Sequence, residues 1–205
     1  MKSERGFDRL VNFSDAVVAI AITLLVLPLV TEASELKNET ILEFLQRNGM
    51  QFFSFFLSFA IIGRFWLVHH RFFDRLVAYN RSMMVWNLMW LLGIVFLPFP
   101  TELFATEHNQ SLISGSLYIV TMFWIAASFL GITVIAKRHP ELLQSGKPED
   151  ARVYVSVVMC ALLLLALLLT IFVPAIGMWS LMILFLMPIF ELVYRPNRTK
   201  KSATK

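Results

Sequence analysis

Five polar side chains sit where an apolar segment would not ordinarily keep them. Arg9, Ser14 and Asp15 lie at the head of RLVNFSDAVVAIAITLLVLPL, and His69 and His70 occur near the close of GRFWLVHHRFFD. Ionisable groups within a membrane segment are costly, so each implies either a function or a satisfied internal network. A proton relay is one possibility, since histidine titrates near neutral pH. A metal pair is disfavoured: neighbours on a helix point about 100° apart, and no cysteine assists them, since Cys160, the single cysteine, sits inside the fifth span. A hydrolytic Ser/His/Asp set is disfavoured too, because no GxSxG-type motif accompanies Ser14 and Asp15. No enzyme activity and no cofactor are expected. What remains is a latch in which Asp15 accepts from histidine or arginine donors, with Arg9, Arg64, Trp66, His69 and His70 near one level and Ser14 adding a hydroxyl.

The elements that must position these groups are membrane helices. Of 205 residues, 58% are hydrophobic and only 16% charged, outside the range of an ordinary soluble domain. Runs long enough to cross about 30 Å of hydrocarbon occur at 10–30, 50–73, 83–104, 111–136, 153–173 and 177–194, so one six-helix all-α domain over 1–205 is expected. Runs such as LLLLALLLTIFV lack the alternation of a barrel strand. Asp15 and the length of the first run favour a retained helix over a cleaved signal. Lysine and arginine cluster in the N-terminal tail, in the loops around Arg75 and Lys147, and in the C-terminal tail. That bias places both termini in the cytoplasm. It also accounts for the net charge of +4 through attraction to anionic lipid, so no nucleic-acid partner is inferred.

On the first helix, Ile20, Thr23, Leu24 and Leu27 fall at i, i+3, i+4 and i+7 and form one stripe. Asp15 lies about 140° around the helix from Ile20. If the stripe lines a path, Asp15 must point back between helices. Pro28 is expected to end this helix, and Pro98 and Pro100 to end the third. The stretch 31–49 is expected to be an outer loop with a short amphipathic turn at ILEFL.

Arg9 followed after three residues by Phe13-Ser14-Asp15, at the start of a first membrane helix, resembles the RxxxFSD signature of the transmembrane protein 175 family of potassium channels. The similarity extends through AIAITLLVL, FWLVHH and NLMWLLGIVFLPFP, while the last three helices match only in hydropathy and number. The resemblance implies a six-helix subunit without a P-loop filter, assembling as a homotetramer in a bacterial cell membrane; animal members fuse two such repeats and dimerise. It implies that the first helices line a central pore, with Ile20, Leu24 and Leu27 as the apolar constriction and Thr23 as a hydroxyl layer. Arg9, Phe13, Ser14 and Asp15 would fasten that helix to its neighbours, through Trp66 and His69 or His70. The implied activity is a passive, moderately selective potassium conductance, with other copies of the chain, potassium ions and lipids as partners and no bound metal beyond the permeating ion. The alternative is a proton-coupled transporter or proton-conducting channel built on Asp15 and His69 or His70.

Overall fold

Pro28 and Pro98 each break a helix without ending it. The computed structural model describes residues 2–34, 40–106, 112–147 and 152–173. The first helix, α1 (Lys2–Leu24), gives way at Leu25 and Val26 and resumes as α2 (Leu27–Ser34). Pro28 offers no N–H to the carbonyl of Leu24, so the chain tightens just before it. Leu25 N donates to Ile22 O at 3.3 Å and Val26 N to Thr23 O at 3.4 Å, and Val30 N then reaches Val26 O at 3.1 Å. A proline in a first turn costs no hydrogen bond, so the expected stop is instead an interruption.

The outer stretch then folds as α3 (Ile41–Arg47), capped by a reciprocal box in which Glu43 N donates to Thr40 Oγ1 at 3.3 Å and Thr40 N to Glu43 Oε2 at 2.8 Å. Those bonds from Thr40 hold the Glu43 carboxyl below its ordinary 4.5. Next come α4 (Gly49–Phe73), α5 (Arg81–Phe96) and α6 (Pro98–Thr106). Here too the proline expected to terminate a helix begins a new segment: Leu97 N bonds Gly93 O and Ile94 O, and Thr101 N bonds Leu97 O. Glu102 therefore lies in α6. A long α7 (Leu112–Arg138), a 3-10 turn (Pro140–Leu142) and α8 (Val153–Phe172) follow.

Among the described residues, five spans are long and apolar enough to cross a membrane: Gly6–Ser34, Gly49–Phe73, Arg81–Thr106, Leu112–Arg138 and Val153–Phe172. The chain is a multi-pass, all-helical membrane protein. The expected sixth span, 177–194, lies outside the described residues.

The most buried of these spans, α7, is the post around which the others stand. It packs on α5, α6 and α8, while α1 leans on α4 and α5. Close approach of α5 and α7 requires small residues. A Cβ at Gly93 would stand 2.6 Å from Ile125 Cγ1, and one at Gly131 would collide with the Trp86 indole. At the arginine-rich end the loop after α4 and the loop after α7 clasp each other, with Val77 N on Leu142 O at 2.9 Å and Gln144 N on Arg75 O at 2.8 Å. The effect is to hold α4 and α7 in register, which positions His69 near the heart of the bundle.

Candidate functional site

The first span carries both halves of the site, with Leu27 at the start of α2 and the rest on α1, and the 3.6-residue period of α1 sets them apart. The inward half begins at Ser14, only 1% exposed. Its hydroxyl donates to Leu10 O at 2.9 Å and accepts from Asn87 Nδ2 at 2.9 Å. Asn87 thereby turns Oδ1 toward His69, whose Nε2 lies 2.7 Å away. An amide oxygen can only accept, so His69 donates from Nε2. The imidazole is clamped between Phe73 and Trp90, each with ring centroids 4.1 Å away. This chain ties α1 to α5 and α5 to α4.

A second strap runs from Asp15, which is half-buried. Trp66 Nε1 donates to Asp15 Oδ1 at 2.8 Å. On the next turn of α4, His70 stacks on Trp66 at 5.2 Å, and its Nε2 lies 3.8 Å from Asp74 Oδ2. Of the side chains expected near Asp15, the indole of Trp66 is a described donor to it. The geometry of α4 explains it. His69 points to the bundle centre, where α5 supplies Asn87; Trp66, three residues earlier and about 60° around the helix, faces α1. His69 reaches Ser14 only through Asn87. Arg9 and Phe13 lie on the exposed side of α1, and the two straps do not include them.

The outward half is the stripe. Ile20 is 61% exposed, Leu27 57% and Leu24 43%, whereas Val18, Ala21 and Leu25 on the opposite side are buried. Thr23 is exposed as well, and its hydroxyl donates to Ile20 O at 2.7 Å. With the hydroxyl proton directed at the backbone, the lone pairs of Oγ1 are left facing outward, the polarity a cation requires.

Two features were not singled out from the sequence. Asn87 is one, although a lone asparagine within MMVWNLMWLLGIVF was the signal available. The other is a hydroxyl chain nearer the opposite end: Tyr118 Oη lies 3.0 Å from Ser58 Oγ, which lies 2.8 Å from Thr101 Oγ1, and Thr101 donates to Leu97 O at 2.8 Å. Because Thr101 commits its proton to Leu97, Ser58 must donate to Thr101 and Tyr118 to Ser58. This pins α6 to α4 and α7 beside the Pro98 break. Among the described residues, no group of three or more His, Cys, Asp or Glu side chains converges to hold a metal.

Comparison with known proteins gives this arrangement a context. Residues 9–98, the segment holding both straps and the stripe, match the model of the family described as endosomal/lysosomal potassium channel TMEM175. A potassium channel of Chamaesiphon minutus is 34% identical over 140 residues, 67% of this chain and 64% of that protein. One from Streptomyces collinus is 30% identical over 124 residues, 59% of this chain and 60% of the relative. The endosomal/lysosomal proton channel TMEM175 of Gallus gallus is 30% identical over 142 residues, 64% of this chain and 28% of its own length. The matched part of this chain thus spans less than two thirds of each of these relatives. Among solved structures, the crystal structure of a lysosomal potassium-selective channel TMEM175 homologue from Chamaesiphon minutus superposes with a TM-score of 0.70 at 29% identity, covering 94% of this chain and all of that one. The potassium channel MtTMEM175 superposes at 0.63 with 23% identity, over 90% of this chain and 92% of that one, a likeness of fold alone.

Proposed function

We propose that this chain, similar to the TMEM175 family over residues 9–98, is a member of it and acts as a potassium-selective channel, passive and moderately selective, assembled as a homotetramer around four copies of α1. The observation that carries the proposal is the division of α1 into two sides. Ser14 and Asp15 fasten one side to α5 and α4, and the opposite side leaves Ile20, Thr23, Leu24 and Leu27 uncovered in the single subunit. Four copies related by a rotation axis bring such stripes together and enclose a path that one short chain cannot.

In that assembly Ile20, Leu24 and Leu27 form apolar rings. A narrow apolar ring dewets and blocks ions without a plug, and a small widening or rotation of the helices opens it. Thr23 sits one residue before Leu24 and presents hydroxyl oxygens to a partly dehydrated cation. Such a layer discriminates less sharply than a cage of backbone carbonyls. The kink at Leu25 and Val26 follows immediately, so the outer segment α2, which begins with Leu27, can shift the Leu27 ring while Ile20, Thr23 and Leu24 keep their positions. In this assembly the arginine-rich loops and the start of α1 lie on the cytoplasmic side.

The deciding test is the reversal potential of the purified, vesicle-inserted protein in a planar bilayer with potassium on one side and sodium on the other. Reversal toward the potassium equilibrium potential supports the channel. Absence of current from inserted tetramers would transfer the weight to a carrier. A proton-conducting channel is the second reading, favoured by the Asp15–Trp66–His70–Asp74 column and by animal relatives named as proton channels. A current that follows a pH gradient with potassium absent would support it.

A further inference from the structure

The seven-residue helix α3 divides its surface into three sectors. Phe44 is buried and packs edge-on against Phe52 of α4, with ring centroids 6.1 Å apart. Ile41, Leu42 and Leu45 are 77%, 64% and 45% exposed, and at about 100° per residue they fall within about 100° of one another. Glu43, Gln46 and Arg47 occupy the remaining arc and are exposed too. An exposed helix with bare apolar side chains on one side and charges on the other needs a boundary between water and oil.

The chain supplies that boundary. Only Asn48 separates α3 from the first residue of α4, a membrane span, so α3 lies at the level where that span leaves the hydrocarbon. Met50, Phe53 and Phe56 on the first turns of α4 are exposed apolar residues that continue the uncovered surface downward. The polar side has a direction: Arg47 Nη2 lies 4.0 Å from Glu32 Oε2 on α2. The charged side of α3 thus turns toward the outer segment of the first helix, and the apolar side turns away from it. A neighbouring copy gathered around α1 and α2 would meet the charged side more readily than the apolar one.

We propose that α3 is an interfacial anchor whose Ile41, Leu42 and Leu45 insert at the headgroup–acyl boundary of the leaflet opposite the arginine-rich loops. The partner is the lipid surface itself, and the Arg47–Glu32 contact ties the anchored helix to α2.

The test uses the full-length protein in vesicles of phosphatidylcholine and phosphatidylglycerol, made free of its one native thiol by Cys160→Ala. A nitroxide is attached at Leu42→Cys and, separately, at Gln46→Cys, and collisions with oxygen and with a water-soluble nickel chelate are read by spin resonance. The expected result is a label at 42 that oxygen reaches and the nickel chelate does not, with the opposite preference at 46. Nickel access at 42 equal to that at 46 would overturn the proposal, leaving a face exposed only to water. An immobile label at 42 would overturn it as well. Dipolar broadening lost on dilution with unlabelled protein would then assign the face to a second copy, and broadening-free immobility to another segment of the same chain. Ile41→Cys repeats the measurement if the first variant fails to assemble.

Discussion

Replacing Asn87 with leucine should unfasten the first helix without touching the stripe. Asn87 is fully buried and joins Ser14 and His69 by bonds of 2.9 and 2.7 Å. Leucine keeps the same branching at Cγ, so the outline of the side chain is retained and the main loss is polar. Side-chain bonds between membrane helices average about 0.6 kcal/mol each. A buried donor left without a partner costs about 1–3 kcal/mol more, and here that donor is the His69 Nε2–H. Ser14 keeps its bond to Leu10 O and loses only an acceptor role. The variant should therefore lose roughly 2–4 kcal/mol, measurable as a shifted unfolding midpoint in mixed micelles titrated with dodecyl sulfate. His69→Phe supplies the control, since a phenyl ring can keep the stack between Phe73 and Trp90. Combined with Asn87→Leu it leaves no unpaired donor at position 69. The double variant should recover about 1–2 kcal/mol relative to the sum of the single losses. Strict additivity, within about 0.5 kcal/mol, would refute the claim that the His69 donor dominates the penalty. Altered potassium selectivity in assembled Asn87→Leu protein would refute the separation of fastening from permeation.

Three further outcomes follow from the same geometry. Ile20→Asn, placing a polar group at the most exposed apolar position of the stripe, should wet the constriction and raise resting current in bilayer recordings; unchanged conductance would remove Ile20 from the pore. Thr23→Ala should lower the potassium-to-sodium permeability ratio while Thr23→Ser retains it, and a ratio equal in all three proteins would discard the hydroxyl layer. Gly131→Leu, colliding with the Trp86 indole, should cost about 1–3 kcal/mol of stability by overpacking and lower the yield of assembled protein. Adding Trp86→Ala should restore much of that yield, and no restoration would mean that the strain lies elsewhere.

Much of this molecule follows from local rules. Hydropathy alone marked the spans that the described residues contain, because a chain in lipid must close its backbone hydrogen bonds within each segment. The 3.6-residue period alone placed Asp15 and Ile20 on different sides of α1. It needed no knowledge of what either side meets, and Asp15 indeed accepts a bond from α4 while Ile20 stays uncovered. The RxxxFSD motif at Arg9 to Asp15 pointed to the family for the same reason, since it is contained within about two turns of helix.

Packing decided the rest. Whether Trp66, His69 or His70 reaches Asp15 depends on how α4 is rotated against α1, a relation between residues 51 positions apart in the chain. Asn87 joins the network across 73 positions, and in sequence it is one asparagine in an apolar run. The prolines mislead for a related reason. Their missing N–H dictates a break at Leu25–Val26 and at Leu97, but tertiary contacts determine whether the helix resumes beyond it, and at Pro98 the Tyr118–Ser58–Thr101 hydroxyl chain ties the resumed segment to two neighbours. Helix periodicity and hydropathy are properties of a segment, legible wherever the segment is written. The choice among donors belongs to the interface between segments, and it exists only once α1, α4, α5 and α7 have packed.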